Sequence, residues 1–331
     1  MIKIYTLYNQ VIFTSEQIIL FGLLDKEPTE PDYTYNHRNE NRYHGIIEFC
    51  KKNITYTNTP EECDILVLPY KFKDITDTNY IKLNTISKQL NKPLWCFFND
   101  DNDKTFNIPS NVILFRTSFY KTSKLENEKS FIPYTTDYFN NKYVTNDTND
   151  TNAYTNAYTN AYTNLSIGYC GHLNNGRHKY LNLLHNSELT TNFIIRNGFW
   201  APGVDKLVAR TDFINNIENN LFIFCYRGAG NFSYRFYETL MMGRIPILIN
   251  TDCVFPFENS KHIHIDINDL GLVINEKDID INNNTSIITM IKDYYTKNKD
   301  KLLDIQKHNR LVWETYYSPI GFLSNIIKHD Y

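Results

Sequence analysis

Short apolar runs recur along this chain and alternate with segments of helical periodicity. The runs include residues 64–69 (DILVLP), 94–98 (LWCFF), 221–225 (LFIFC) and 245–249 (IPILI). A strand that is apolar at nearly every position is buried on both faces, so it belongs inside a parallel sheet covered by helices. Such sheets are built from βαβ units. In the first half, strands are expected at 2–7, 64–69, 94–98 and 112–115, and helices at 42–51 and 80–90. In the second half, strands are expected at 165–170, 192–196, 221–225, 245–249 and 262–267. Helices are expected there at 177–184, 211–219 and 234–242, with a long one at 300–317. The fold class is therefore α/β, in two similar halves.

At 331 residues the chain suits two domains. Between the halves, residues 145–164 pass from Thr-Asn-Asp units into Thr-Asn-Ala-Tyr units. This run has no hydrophobic face of either period and reads as a linker or loop. The expected organisation is an N-terminal domain at 1–144, the repeat segment, a second domain at 165–300, and terminal helices at 301–331 that pack back across the junction.

The formal net charge of -3 excludes the basic surface of a general nucleic-acid or anionic-membrane binder. The N-terminus lacks the basic and long apolar regions of a signal peptide. No apolar stretch approaches the roughly 18 residues of a membrane span, so a cytoplasmic protein is expected. The six cysteines are scattered, form no CxxC pair and mostly sit in apolar runs, as free buried thiols do. His262 and His264 have no second pair at ligand spacing, which disfavours a zinc site. No P-loop, nucleophile elbow or HExxH pattern occurs.

The segment with chemical content is 221–250, LFIFCYRGAGNFSYRFYETLMMGRIPILIN. A buried strand ends at Cys225, and Arg227, Gly228 and Gly230 follow. Glycines there let backbone N–H groups approach a ligand. Asn231 or Ser233 is placed to cap the next helix, whose N-terminus carries the positive end of its dipole. Tyr234 opens that helix. Arg227 and Arg235 add guanidinium forks suited to a diphosphate. Glu238 lies three residues beyond Arg235 on the same helix face, where a carboxylate can accept both hydroxyls of a ribose. Gly243 sits where a helix ends.

The order of Cys225, Gly228, Ser233, Arg235, Glu238, Gly243, Ile245, Pro246, Pro256 and Phe257 resembles the donor-binding signature of the exostosin-like enzymes, glycosyltransferase family 47. The helix and the Gly-x-x-Pro step are also similar to fucosyltransferases of family 10. Weaker echoes lie in Thr59–Asp64 with ILVLPY, in Lys92-Pro93 with LWCFFNDD, and in Ile167–Gly171 with Arg177–Tyr180. The resemblance implies a GT-B fold, with two Rossmann-like domains facing a cleft. It also implies sugar transfer from a nucleotide donor, usually UDP-linked and less often GDP-linked, with no required cofactor or DxD-bound metal. By that resemblance Arg235 and Arg227 face the diphosphate and Glu238 the ribose. Gly171, His172 and Arg196, at neighbouring strand ends, line the same cleft. The acceptor, a glycan or glycoprotein, falls to the N-terminal domain.

Asp100 and Asp101 follow the strand at 94–98 and are candidates for the base that deprotonates the acceptor. Asp101 and Asp103 also spell a DxD, which would hold a metal in a GT-A enzyme. A catalytically inactive sugar- or nucleotide-binding module is a further alternative. His44 is a candidate acceptor contact, and Trp200 could stack on a base or sugar. Trp95 and Trp313 sit in periodic apolar segments and are expected in the core.

Overall fold

The computed structural model describes residues 1–7, 44–131, 164–173, 176–198, 201–258, 260–280 and 285–328. The Thr-Asn-Ala-Tyr repeats, Trp200 and the His44 side chain lie outside the described residues. In the first half come β1 (Ile2–Tyr5), α1 (His44–Asn53), β2 (Ile54–Tyr56), β3 (Ile65–Lys71), α2 (Thr78–Leu90), β4 (Leu94–Phe98), β5 (Val112–Arg116) and β6 (Glu128–Ser130). The second half adds β7 (Ser166–His172), α3 (Arg177–His185), β8 (Thr190–Arg196), α4 (Lys206–Glu218), β9 (Phe222–Cys225), α5 (Tyr234–Met241), β10 (Ile245–Asn250) and β11 (Leu272–Asn275). Then follow α6 (Thr285–Asn298), α7 (Leu302–Val312), a π-helical turn (Trp313–Tyr317) and α8 (Pro319–Lys328).

The strands form two all-parallel sheets, ordered β2-β1-β3-β4-β5-β6 and β11-β10-β9-β7-β8. Both follow the doubly wound order 2-1-3-4-5, which reverses direction beside the first strand of each unit. The α/β class and the pair of Rossmann-like units expected from the alternation are therefore present. The apolar runs supply the central strands: β3, β4, β9 and β10 are buried along almost their whole length. Helix boundaries carry their own causes. Asp77 caps α2 by accepting from the backbone N–H groups of Asn79 and Tyr80. Asp205 caps α4 in the same way. Asn91 closes α2 in the left-handed conformation.

One core lines each outer face. Tyr80 and Leu83 of α2 pack on Leu66, Leu68, Leu94 and Cys96. Tyr180, Leu181 and Leu184 of α3 pack on Ile167, Phe222, Phe224 and Ile247. The third cluster spans the molecule, joining Trp95, Phe97 and Phe115 of the first sheet to Tyr237, Phe257, Trp313 and Phe322. Trp95 and Trp313 are thus core residues, and all six cysteines are free and buried, as their apolar settings implied.

One expectation fails for an identifiable reason. Residues 262–267 form no strand. Their alternation turns Ile263 into the core, but the edge of β10 is taken by β11, so the segment finds no ladder. The expected helix at 300–317 is present as α7, which runs on without a gap into the π-helical turn at Trp313–Tyr317 and ends at Ser318. Ser318 N–H donates to Trp313 carbonyl across five residues at 2.5 Å, and Pro319 opens a new helix. Short or polar strands β2, β6 and β11 carried no apolar run and were not expected.

Candidate functional site

In doubly wound sheets, ligands bind beyond the carboxyl ends of the strands, where the strand order reverses. In the second unit that point lies between β7 and β9. Two expected site residues meet there. Arg235, in the first turn of α5, reaches across to β7 and donates from Nη2 to the Cys170 carbonyl at 2.5 Å. Its guanidinium stacks 4.3 Å over the Tyr169 ring. Among the described residues it has no carboxylate within salt-bridge distance, and its Nε is buried without a hydrogen-bond partner. Gly171 makes the approach possible. Its φ is +154°, and a Cβ there would sit 2.9 Å from Arg235 Nη2.

Ser233 takes the N-cap position of α5 and its side chain makes no cap hydrogen bond. Asn231 does not cap. Its side-chain amide donates to Phe119 carbonyl at 3.1 Å and accepts from Thr251. Glu238 is buried one turn beyond Arg235, at 9% exposure. Tyr234 is exposed and packs edge-on against Phe232. His172 Nδ1 lies 3.2 Å from Arg196 carbonyl, and Arg196 itself forms an ion pair with Asp212 of α4.

The glycine loop is used differently from the sequence expectation. A Cβ on Gly230 would meet Ser118 Oγ at 2.7 Å and Asp101 Cα at 2.9 Å, so this glycine admits the first unit rather than leaving space for a ligand. Gly228 instead donates to Phe232 carbonyl at 2.9 Å and tightens the loop. Arg227 pairs with Asp103 at 3.0 Å and donates to Tyr120 Oη and, at 3.1 Å, to Ala229 carbonyl. Asn231 N–H donates to Ser118 Oγ at 2.6 Å and Asp103 at 3.2 Å. A small pocket lies alongside, lined by Arg227, Ser233, Phe236, Thr251 and Phe255 among others.

The candidate bases sit at the end of β4. Asp100 forms a 2.7 Å ion pair with Lys71. Burial pushes its carboxyl pKa up, but the Lys71 contact and backbone N–H groups outweigh this and hold it below the usual range. Asp101 is exposed against the Gly230 loop. Among the described residues, no group of three or more His, Cys, Asp or Glu side chains is placed to hold a metal ion. No described helix is long and apolar enough to cross a membrane.

Residues outside the expected set also stand at these strand ends. Arg177, the first residue of α3, is buried and donates to the carbonyls of His172 and Arg227. Glu276, just after β11, accepts from Lys179, Tyr180 and Tyr226 at 3.1, 2.8 and 2.8 Å. Arg177 had a local signal, since it follows a strand and a glycine turn as Arg235 does. Glu276 had none, because its donors lie 50 to 97 residues away.

No family model and no curated protein matches this sequence. Solved structures with a distant likeness include a mutant of S. aureus TarM in complex with Fondaparinux, alpha-GlcNAc-glycerol and UDP. It is 10% identical, with 80% of this chain and 54% of that one covered and a TM-score of 0.40. An alpha1,3-fucosyltransferase is 13% identical, with 92% and 80% covered and a TM-score of 0.41. S. aureus MnaA with UDP is 13% identical, with 99% and 95% covered and a TM-score of 0.31. The chain spans about half the length of the TarM structure. What the site can do therefore rests on its own residues.

Proposed function

We propose that this chain is a GT-B glycosyltransferase that uses a nucleotide-sugar donor. The observation that carries the reading is Arg235. It stands at the β7/β9 reversal on the first turn of α5, without a carboxylate partner among the described residues, and faces a glycine shaped to admit it. A half-buried guanidinium beside a helix N-terminus is a seat for a phosphoryl anion. Glu238, buried on the same helix, takes the ribose. The resemblance of the 221–257 segment to exostosin-like enzymes supports a UDP-linked hexose or pentose donor and a glycan or glycoprotein acceptor bound from the first unit.

In the reaction, an acceptor oxygen forms a bond to the anomeric carbon while the bond from that carbon to the diphosphate oxygen breaks. The electron pair leaves with the nucleoside diphosphate, and the guanidinium and helix N-terminus stabilise its charge. Asp101, more exposed than the Lys71-bound Asp100, is the better placed of the two carboxylates to accept the acceptor proton if configuration inverts.

Titration of the intact protein with UDP-, GDP- and dTDP-sugars tests the reading by thermal shift. A donor at 100 times its dissociation constant stabilises the fold by about 2.7 kcal/mol. Donor hydrolysis should follow and be lost in Arg235→Ala. No shift and no hydrolysis with any donor would sink the assignment. Activity abolished by EDTA but insensitive to Glu238→Ala would point to the metal-dependent alternative through Asp101 and Asp103. Tight binding without turnover on any acceptor would indicate an inactive module.

A further inference from the structure

Two thiols stand side by side at the ends of neighbouring strands in the second sheet. β7 and β9 run parallel, with Ile167 opposite Phe222 and Gly168 opposite Ile223. The register carries on past these pairs, because the Tyr169 and Phe224 rings meet at 6.1 Å on the face covered by α3. The next residue of each strand turns to the opposite face, and in both strands it is a cysteine, Cys170 and Cys225. Neither is in a disulfide, and they are 4% and 0% exposed. Neighbouring strands lie about 4.8 Å apart, and two metal–sulfur bonds of about 2.3 Å placed end to end span about 4.6 Å. The pair is therefore spaced to hold one cation between two sulfurs in a line.

The surroundings decide which cation fits. Among the described residues, no third His, Cys, Asp or Glu side chain completes a ligand set around the pair. Zinc and calcium need larger sets, whereas two soft sulfurs suit a soft monovalent ion. Two thiolates on such an ion leave one negative charge, and Arg235 stands ready to balance it. It is anchored on the Cys170 carbonyl at 2.5 Å, and its Nε is buried without a hydrogen-bond partner. Burial pushes both thiols up, Cys225 to about 12, while the charge of Arg235 pulls each of them down.

We propose that Cys170 and Cys225 form a two-coordinate site for a soft monovalent cation, Cu(I), beside Arg235. Each thiol gives its proton to solvent, two Cu–S bonds form, and the copper keeps its oxidation state. The site stands on the sheet register and is independent of the transferase reading. A filled site engages the guanidinium that the transferase reading assigns to a phosphoryl group, so copper and UDP compete; that consequence alone rests on the reading.

Anaerobic titration of the whole chain with Cu(I), against bicinchoninate as competing chelator, tests this. The native chain should take up one tightly held copper. That copper should be lost in Cys170→Ala and in Cys225→Ala and kept in Cys96→Ala, which removes a buried thiol of the other sheet. Arg235→Ala should weaken binding by about 10-fold, the effect of one nearby opposite charge. X-ray absorption on the copper-loaded native chain needs no variant to fold, and it should show two sulfur neighbours and no nitrogen. No copper binding by the native chain, a third ligand atom in the spectrum, or undiminished binding in Cys170→Ala would each overturn the proposal. UDP should bind the copper-loaded chain more weakly than the copper-free chain. Equal affinity for the two forms would overturn the competition, and no UDP binding by the copper-free chain would remove the transferase reading while leaving the copper site.

Discussion

Gly171 is the residue whose identity is most tightly dictated. Its backbone lies at a φ that side-chain-bearing residues rarely adopt, and the space a Cβ would fill holds the end of Arg235. Gly171→Ala should therefore destabilise the protein by about 1–3 kcal/mol through backbone strain and displace the guanidinium. Urea denaturation measures the first effect and a pyrophosphate or UDP titration the second. Glu276 offers a test by pH. Burial opposes its charge, but hydrogen bonds from Tyr226, Tyr180 and Lys179 outweigh burial and hold its pKa below the ordinary 4.5. A carboxylate with a lowered folded-state pKa adds stability above its unfolded value and loses it as pH falls through the folded one. Part of the acid destabilisation below about pH 4.5 should thus disappear in Glu276→Gln. Parallel pH-melting curves for the two proteins would refute this.

Among the elements, β6 shows how a strand can be set by tertiary contact alone. Glu-Lys-Ser has no strand signature, and no strand was expected there. Its pairing with β5 accompanies a buried ion pair, in which Arg116 Nη1 meets Glu128 Oε1 at 2.6 Å with both side chains at most 2% exposed. The Arg116 guanidinium also donates to the carbonyls of Lys104 and Ser118, so the pair anchors the loop that carries Asp103. Removing one partner leaves a buried charge uncompensated. Glu128→Ala should cost about 3–5 kcal/mol, measured by chemical denaturation, whereas Glu128→Gln, which retains an acceptor, should cost less. The loop between β9 and α5 illustrates the complementary case. Its glycines are plain in the sequence, yet Gly230 is demanded by Ser118 and Asp101, more than a hundred residues earlier in the chain.

For the molecule as a whole, the question is whether the two sheets unfold together. Phe322 of α8 packs on Phe115 and Phe131 at 6.3 and 6.4 Å and on Phe257 at 5.3 Å, so one ring touches both halves of the sequence. The loop after β10 adds further ties: Lys121 N–H donates to Asp252 carbonyl at 3.0 Å, and Thr122 to the Asp252 carboxylate. A core shared in this way predicts one cooperative melting transition. Phe322→Ala should lower stability by about 3–5 kcal/mol, and calorimetry should show whether the transition stays single or splits in two.

The parallel strands, the α/β class and the strand–glycine–helix carrying Arg235 and Glu238 were legible because their causes are local. Continuous apolar runs bury both faces of a strand, and a helix's polar positions share a face through its own periodicity. Partnerships across the chain were not legible. Arg177 joining Arg235 at one strand end, Arg227 turning toward Asp103, Gly230 fitting beneath Ser118, and β6 existing at all depend on which surfaces two folded sheets present to each other. Those choices follow from packing and charge pairing between residues distant in sequence, where no local period carries information.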